Sequence, residues 1–379
     1  MKITIFGDIC PTKDTQAAFD RGDRESIFGD TLKEIESSDI VIGNLECAVT
    51  DQPKPIQKAG PVLYTGIQSM QTLKDFDVLS IANNHIRDCG DEGVMTALET
   101  CKKLGIRTLG AGKSMQEARK PLAIEKCGIK IGLMSFAEQE FNIASDTRPG
   151  ACYLDLYDDF DRIREFRKTV DYLIILYHGG IEYFPYASPE LSRKCRKMVD
   201  CGADLVSCQH SHCIGTIEQY KGGTIVYGQG NSVFGYRDGD NSWNRGLLLQ
   251  VEFQKAGNSF SYNSSFTYKG MVATPNGLRW MSEAAFENLS NELRTREQLS
   301  QNRVAVQKEW DKFCANLGKI HLPLLLGWPR ILIAINRRTG NSLIKMLYGR
   351  LAHNNTHNLI RCEAHREVIK NLLSKKDFS

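Results

Sequence analysis

The stretch GADLVSCQHSHCIGTIEQYKGGTIVYGQGN, residues 202–231, holds two short apolar runs, and polar side chains stand at the end of each. The first run leads into His210 and His212, and the second leads into Asn231. Short runs rich in Val and Ile between glycines are typical of buried β-strands. In open α/β sheets, ligands bind outside the carboxyl ends of the strands. Two histidines one residue apart also occur in loops that bind nothing, so the pair alone does not identify a metal site.

The same alternation of short strands and helices extends from Met1 to about Tyr268 and predicts a layered α/β sandwich. Helical patterns at 91–105 and 188–202 end at glycines, which can terminate a helix. A hairpin of antiparallel strands is predicted over 244–268. The candidate strands of the sheets lie at 2–8, 39–46, 77–85, 129–137, 171–180, 203–212 and 223–231.

Beyond Met281 the sequence changes character and predicts a helical C-terminal extension. A polar long-helix pattern over 283–318 is followed by an apolar and basic stretch over 322–351, which prolines and a glycine interrupt. The apolar stretches are too short to span a bilayer. We therefore predict two parts, an α/β domain over 1–270 and a basic helical extension over 271–379.

The excess of positive over negative charge in the chain lies in this extension. The whole chain has a net charge of +3, whereas residues 319–379 hold 11 Lys and Arg against 3 Asp and Glu. The extension lacks the aromatic interleaving and the modules of nucleic-acid-binding proteins, so we expect no nucleic-acid partner. Three interpretations remain: peripheral contact with anionic lipid through Trp328 and the leucines, attraction of an anionic polymer, or a helical appendage packed on the sheet domain.

The composition and the cysteines indicate a soluble cytoplasmic protein, which the basic extension could bring to the inner face of the membrane. The chain is 41% hydrophobic and 25% charged, as is ordinary for globular proteins. Its 12 cysteines are scattered without a CxxC pair, and residues 1–10 do not resemble a signal peptide. We therefore expect reduced thiols.

Histidines are concentrated at the predicted strand ends. The chain has eight histidines, and the four within the first 300 residues all follow apolar runs. A shared function explains this placement better than chance. Imidazole, carboxylate and amide oxygen together bind Zn²⁺, Mn²⁺ or Fe²⁺, and a bridging carboxylate can hold two such ions. The candidate ligands at these strand ends are Asp8, Glu46, Asn84, His178, His210 and His212.

A string of motifs carries a family resemblance. In order, they are GD at 7–8, NLE at 44–46, SIANNHIRDCG at 80–90, YHGGIEY at 177–183 and the stretch at 202–231. The string resembles the CapA family of poly-γ-glutamate capsule proteins, which is related to the calcineurin-like metallophosphoesterases. The resemblance covers roughly residues 2–235, and a series of motifs in one order is more specific than any single motif. It implies a metallophosphoesterase-like α/β sandwich.

Carried over position by position, the resemblance implies a site for two divalent ions. Glu46 would bridge the two ions. The other implied ligands are Asp8 and His212 for one ion, and Asn84, His178 and His210 for the second.

Five further residues are candidates for the surroundings of the ions. The resemblance implies that His85 stands beside the metals and protonates a leaving group, and that Asp88 orients the imidazole of His85. Asn83 is a candidate for capping the following helix or for a contact around the ligands. Glu182 and Asn231 would lie around the ligands or contact substrate. The alternative for Glu182 is a surface charge without a role in the site.

Three features depart from the phosphoesterase pattern. Cys10 stands where that pattern has a histidine two residues after the first aspartate, and a strand-end cysteine is more often a small buried hydrophobe than a ligand. Glu46 replaces an aspartate, and QHSH at 209–212 replaces a glycine followed by two histidines. These changes could weaken one metal site and leave the protein with one ion.

The resemblance implies a metal-dependent hydrolase of the CapA family that acts in poly-γ-glutamate or other capsular polymer biosynthesis. A metal-activated water would attack an amide or a phosphoester, and the sequence does not choose between them. Two alternatives stay open. One is a cytoplasmic metallophosphoesterase that acts on a small phosphorylated substrate or a lipid-linked precursor, and the other is a non-catalytic scaffold of a capsule-synthesis complex.

Overall fold

The computed structural model describes residues 1–12, 14–255 and 262–374 of the chain. The chain divides into two compact units, Met1–Gln307 and Lys308–Ser379. The first unit is built from strands and helices, whereas the described residues of the second unit form helices joined by short turns.

The described residues of the first unit form 18 strands. In chain order they are β1 (Lys2–Ile9), β2 (Ile40–Leu45), β3 (Ala48–Val49), β4 (Tyr64–Thr65), β5 (Val78–Ser80), β6 (Arg107–Leu109), β7 (Ala111–Gly112), β8 (Leu122–Lys126) and β9 (Ile129–Ala137). They continue as β10 (Gly150–Ala151), β11 (Tyr172–His178), β12 (Leu205–Gln209), β13 (Ile217–Tyr220), β14 (Gly223–Val226), β15 (Asn231–Val233), β16 (Arg245–Lys255), β17 (Tyr262–Thr274) and β18 (Gly277–Trp280).

Helices connect these strands and continue into the second unit. In chain order they are α1 (Gln16–Asp20), α2 (Arg24–Phe28), α3 (Leu32–Ser37), α4 (Gly90–Lys103), α5 (Met115–Ala118), α6 (Asp159–Arg167), α7 (Pro189–Asp200) and α8 (Glu283–Ser300). They continue as α9 (Arg303–Leu325), α10 (Arg330–Arg338), α11 (Ser342–Leu347), α12 (Arg350–Arg361) and α13 (Glu363–Ser374). Short 3₁₀ helices lie at Gly29–Thr31 and Gln68–Leu73.

Two large sheets form the first unit. The first sheet has the order β18-β17-β16-β1-β2-β5-β6, and β15 also pairs with β1. The second sheet has the order β13-β14-β12-β11-β9-β8. The central neighbours are parallel in both sheets, and antiparallel strands extend the first sheet on one side and close both edges of the second. The predicted hairpin is confirmed by β16 and β17, although its turn at 256–261 lies outside the described residues.

The sheets pack face to face, and helices cover their outer faces. Successive side chains of a strand point to opposite faces, so Ile5 and Ile42 pack between the sheets against Leu133. Phe6 and Val41 belong instead to the core on the outer face of the first sheet. A third core lies between the second sheet and helices α6 and α7. These layers confirm the predicted layered α/β sandwich.

The register of the parallel strands brings polar residues to the carboxyl edge of each sheet. Asp8 of β1 lies opposite both Asn44 of β2 and Asn231 of β15. His178 of β11 lies opposite Gln209 of β12. The strand predicted over 77–85 ends already at Ser80, because the chain leaves the sheet there and enters the loop of Asn84 and His85.

The first unit extends past the boundary that the sequence predicts at residue 270. Strand β17 continues to Thr274, and Leu289 and Leu293 of α8 are buried in the core that contains the inner faces of the sheets. The long helix predicted over 283–318 is in fact two helices.

A cap residue causes this break between α8 and α9. Asn302 Oδ1 accepts hydrogen bonds from the backbone N–H groups of Val304 and Ala305, at 3.1 Å each. An asparagine cap of this kind starts a new helix. The chain therefore breaks into two helices at Asn302, although the residues on both sides of it favour helix.

The second unit is a series of helices with few buried side chains. Within its described residues, the buried side chains are Pro323, Ile333, Asn336 and Ile344. Asn336 connects α10 to α11, because its Nδ2 donates to Asn341 Oδ1 and its Oδ1 accepts from the backbone N–H of Ile344. Across the described residues, every helix is too short or too polar to cross a membrane.

Candidate metal centre

The carboxyl edges of the two sheets carry two overlapping groups of ligand atoms. Asp8, Glu46 and His212 form one group, and Glu46, His178 and His210 form the other. Within each group, one ligand atom per residue lies within 4.8 Å of the others, and all five residues are buried. Glu46 is common to both groups. The site therefore draws ligands from both sheets and is consistent with a centre for two metal ions.

Asn84 lies beside the second group. Its Oδ1 lies 3.0 Å from His178 Nε2, which is itself 3.4 Å from Glu46 Oε1. The structure thus brings together all six residues of the candidate ligand set.

The Glu46 carboxylate tests whether these residues fit a cation. The residue is fully buried, and neither of its oxygens has a hydrogen-bond partner among the described residues. His210 Nδ1 is likewise buried without a partner in this part of the chain. An unpaired buried carboxylate costs several kcal/mol, unless it is protonated or coordinates a metal. Two divalent cations next to Glu46 would remove this cost, so the donor set fits a dinuclear centre.

The protonation states of the apo site follow from burial. Burial, with the nearby charge of Glu46, raises the pKa of Asp8 to about 8, and burial raises the pKa of Glu46 to about 8. Burial lowers the pKa of His178 and of His212 to about 4, and that of His210 well below its usual range. The imidazoles are therefore neutral at pH 7, which is the form that binds metals. The two carboxyl groups keep protons that a cation would displace.

Asparagine side chains orient the ligands. Asn44 Nδ2 donates to Asp8 Oδ1 at 2.8 Å, and the backbone N–H of His210 donates to Asp8 Oδ2 at 3.1 Å. Asn231 Nδ2 donates to the Trp243 carbonyl, so its Oδ1 faces His212 Nδ1 at 2.9 Å and accepts a hydrogen bond from it. That bond places the proton of His212 on Nδ1. Nε2, 3.9 Å from Glu46 Oε1, keeps its lone pair for a metal.

The loop that carries the two histidines has a strained backbone. His210 has φ 85° and His212 has φ 50°, both in the left-handed region that favours glycine. Such conformations cost on the order of 1–3 kcal/mol and persist where the surrounding structure enforces them. The bonds to Asp8 and Asn231 provide part of this enforcement.

His85 belongs to a buried network next to the ligands. Its Nδ1 donates to Asp88 Oδ2 at 2.6 Å, and its Nε2 lies 4.0 Å from Glu46 Oε1. Asp88 also accepts hydrogen bonds from Lys58 Nζ at 2.6 Å and from the backbone N–H of Leu63 at 2.7 Å. The network fixes the imidazole with Nε2 toward the ligand cluster. Sequence reasoning missed Lys58, whose side chain is only 2% exposed, because it lies in a loop without a periodic pattern.

The remaining predicted residues lie around this centre. Asn83 does not extend toward the ligand atoms: its Nδ2 donates to the Leu45 carbonyl at 2.7 Å, and its Oδ1 accepts from the backbone N–H of His85 at 3.1 Å. It therefore shapes the loop of His85. Glu182 is exposed at the surface, and desolvation by the neighbouring protein raises the pKa of its carboxyl.

Cys10 lies outside both ligand groups. Its side chain is fully buried in the apolar core on the outer face of the first sheet, and its Sγ donates to the Pro11 carbonyl at 3.5 Å. A hydrogen bond with the Cys47 thiol and burial raise the pKa of Cys10 well above its usual value. A protonated thiol in this position is a core residue rather than a ligand.

Comparisons with known proteins agree with the motif order of the sequence. The family model described as "Bacterial capsule synthesis protein PGA_cap" matches residues 2–236. The chain is 30% identical to the "PGA biosynthesis protein CapA" of Bacillus subtilis over 68% of its own length and 69% of that protein. It is 26% identical to the "Capsule biosynthesis protein CapA" of Bacillus anthracis over 65% of its own length and 61% of that protein. These matches confirm the resemblance.

Among solved structures, the 5'-nucleotidase precursor of Thermus thermophilus is similar to this chain with a TM-score of 0.41 and 14% sequence identity. The similarity covers 79% of this chain and 60% of the nucleotidase.

We expect the purified chain to bind two divalent ions, and we expect Glu46→Gln to weaken both. Glu46 belongs to both ligand groups, whereas His212→Ala removes a donor from one group only. Loss of a shared ligand should lower both affinities by more than about 10-fold. Elemental analysis and calorimetric titration with Mn²⁺ measure this, with the exposed His321→Ala as the control. Two ions bound at unchanged affinity by Glu46→Gln would refute the shared role.

The buried carboxyls should make the metal-free protein lose stability as the pH rises from about 4 to about 8. In the folded chain Asp8 and Glu46 keep their protons up to pKa values of about 8, whereas in the unfolded chain they ionise near pH 4. The folded chain therefore binds more protons than the unfolded chain between these values, so the free energy of unfolding falls across this range and levels off above about pH 9. Bound Mn²⁺ replaces these protons and should suppress the fall.

The buried histidines give the opposite slope between about pH 4 and 6.5 and offset the effect of the two carboxyls there. Because the pKa of His178 and of His212 is lowered to about 4, their contribution to stability is present above about pH 6.5 and is lost as the pH falls toward 4. Thermal unfolding across this range, with EDTA or with Mn²⁺, should show a maximum near neutral pH only without metal. Identical profiles under both conditions would contradict the assignment.

Proposed function

The chain belongs to the PGA_cap family of bacterial capsule synthesis proteins, and on this premise we propose that it is a metal-dependent hydrolase of capsular polymer metabolism. Its substrate would be poly-γ-glutamate or another anionic polymer, cleaved during synthesis, release or trimming. The observation that carries the proposal is the buried Glu46 carboxylate, which has no hydrogen-bond partner among the described residues and is shared by two ligand groups, one with Asp8 and His212 and one with His178 and His210. The names of the Bacillus relatives support the polymer class.

The donor set favours borderline cations. Imidazole nitrogen with carboxylate oxygen is typical of Zn²⁺, Mn²⁺ and Fe²⁺, whereas Mg²⁺ and Ca²⁺ prefer oxygen alone. Two such ions would act as Lewis acids on the scissile group and would make water nucleophilic near neutral pH. Asp8, Glu46 and His212 would hold one ion, and Glu46, Asn84, His178 and His210 would hold the other.

His85 is suited to move a proton at this centre. Asp88 accepts a hydrogen bond from Nδ1–H and would stabilise the imidazolium form, so that Nε2 could give its proton to the leaving group. Lys58 and the backbone N–H of Leu63 keep the Asp88 carboxylate in place from the other side. Asn83 fixes the backbone at His85. The side chains of His85 and Asp88 would thus be in position before the substrate binds.

A paired substrate screen tests the proposal. Metal-loaded protein is assayed for cleavage of oligo-γ-glutamate amides and of phosphate monoesters and diesters. Amide turnover supports the capsular polymer hydrolase, and turnover of phosphoesters alone would assign the site to a phosphoesterase. Protein that binds no transition metal and cleaves neither class would instead be a non-catalytic scaffold, which refutes the proposal.

We expect His85→Gln to lower kcat about 100-fold or more on whichever substrate the metal-loaded protein cleaves, with metal content unchanged. General acid catalysis contributes roughly 10²–10⁴-fold, and most where the leaving group is poor. Asp88→Asn should lower kcat less, because it removes only the group that orients the imidazole. His353→Ala, an exposed histidine of α12, is the matched control. Unchanged kcat in His85→Gln would show that this imidazole is not the proton donor.

A further inference from the structure

An exposed guanidinium group lies close to the candidate metal centre. Arg237 is exposed, and its guanidinium carbon lies 3.1 Å from the ring centre of Trp243, which is buried. The Trp243 ring in turn lies 4.8 Å from the ring of His212. One aromatic ring therefore separates the cation from a candidate metal ligand.

The position of Arg237 is fixed by several contacts. Its backbone N–H donates to Asn244 Oδ1 at 2.9 Å, and its carbonyl accepts from Asn244 Nδ2 at 2.6 Å. Its Nη1 contacts the Tyr183 hydroxyl at 3.4 Å. Tyr183 also lies beside the centre, with its ring 6.5 Å from that of His212 and its backbone N–H bonded to the Ser211 carbonyl.

The charge of Arg237 is not neutralised by an ion pair within the described part of the chain. Its polar contacts there are to Asn244 and Tyr183. Glu182 is near enough for the positive charge of Arg237 to oppose the rise of its pKa, but the two do not form a salt bridge. A cation held on an aromatic face without a carboxylate partner is available to bind an anion.

We infer that Arg237 is a specificity-determining residue that binds an anionic group of the substrate, a carboxylate or a phosphate. This inference rests on the proposed hydrolase function. A guanidinium group can form two parallel hydrogen bonds with either a carboxylate or a phosphate. In a γ-linked glutamyl chain, every residue carries a free α-carboxylate next to the amide that would be cleaved. Arg237 would therefore bind this α-carboxylate, while the neighbouring amide lies at the candidate metal centre.

Matched ligands separate charge recognition from catalysis. Metal-loaded protein is titrated with penta-γ-glutamate, with its α-carboxamide analogue and with inorganic phosphate. We expect Arg237→Gln to weaken binding of penta-γ-glutamate about 10-fold and to leave binding of the neutral analogue unchanged. Arg237→Lys should recover part of the loss, because it keeps the charge without the planar fork. Weakened phosphate binding with unchanged penta-γ-glutamate binding would assign the subsite to phosphate esters.

Two controls keep this test independent of turnover. Arg21→Gln removes an arginine whose side chain is 65% exposed and is expected to bind every ligand as the wild type does. Arg237 is exposed, so thermal unfolding should show an intact fold in its variants. If the hydrolase proposal fails, the binding measurements still apply. Equal affinities of Arg237→Gln and wild type for all anions would overturn the inference.

A separate observation concerns the second unit, whose apolar side chains are mostly exposed. Among the described residues, 24 large apolar side chains are exposed, and 16 of these lie between Ile320 and Leu373. They include Ile331 and Ile335, one turn apart on α10 and 74% and 45% exposed. Arg330, Arg337 and Arg338 are on the same helix.

We further propose that this helical unit binds the surface of an anionic lipid bilayer. The apolar residues of α10 to α13 would enter the interface, and the 11 Lys and Arg of residues 319–379, against 3 acidic residues, complement anionic headgroups. The described helices are too short or too polar to span a bilayer but long enough to lie on it. A soluble polyanion would satisfy the charge but would leave the apolar side chains in water, so lipid is the better match.

Vesicle sedimentation with the full chain tests this surface. We expect binding to phosphatidylcholine vesicles that contain phosphatidylglycerol, little binding to phosphatidylcholine alone, and weakening by salt. Ile331→Asp with Ile335→Asp should lower binding about 10-fold or more. Tyr157→Asp, at a side chain that is 92% exposed in the first unit, adds a similar charge as a control. Binding of soluble polyglutamate without vesicle binding, or equal binding by the α10 variant, would overturn the proposal.

Discussion

The candidate centre depends on one constraint, the burial of the Glu46 carboxylate without a hydrogen-bond donor among the described residues. In water this group would be solvated, and in an apolar interior its ionised form would cost several kcal/mol. The three candidate imidazole ligands do not relieve that cost, because burial keeps His178, His210 and His212 neutral. A proton, which the neighbouring Asp8 carboxyl can share with Glu46, or a cation satisfies the buried carboxylate. The fold therefore maintains a place that is unfavourable for the empty, ionised site and favourable for a metal.

Asparagine side chains fix the orientation of the residues around Glu46. An amide both donates and accepts, so one side chain can hold a ligand and be held by the backbone. Asn231 does so between His212 and the Trp243 carbonyl, and Asn83 does so between the Leu45 carbonyl and the backbone of His85. Carboxylates in these positions would add charge next to Glu46 and could not donate. The neutral surroundings leave the charge of the centre to Asp8, Glu46 and the ions.

The strand ends could be predicted from the sequence, because short continuous apolar runs mark strands that are buried on both faces, such as Ile40–Leu45 and Tyr172–His178. The polar residues that follow such runs, among them Asp8 and His178, come to one edge when the strands are parallel. The grouping around Glu46 required the family resemblance, since spacing says nothing about which strands become neighbours. Two sequence expectations erred where a local signal changed the path: the strand ending at Ser80 and the helix start at Asn302. Contacts made by loops could not be predicted from local sequence patterns either. Lys58 contacts Asp88 from a distant loop, and Arg237 packs on Trp243, whose ring lies next to His212.

The departure at Cys10 would make two metal positions at this centre unequal. The thiol packs into the apolar core, so one position is lined by Asp8, Glu46 and His212, whereas the other has Glu46, His178, His210 and the nearby Asn84. Three protein donors leave more of a coordination sphere for water or substrate than four do. Open positions are what a catalytic metal needs, and full coordination suits an ion that stays bound. A core cysteine at this position would therefore be compatible with the proposed catalysis, because an ion held by Asp8, Glu46 and His212 would keep more positions for water or substrate.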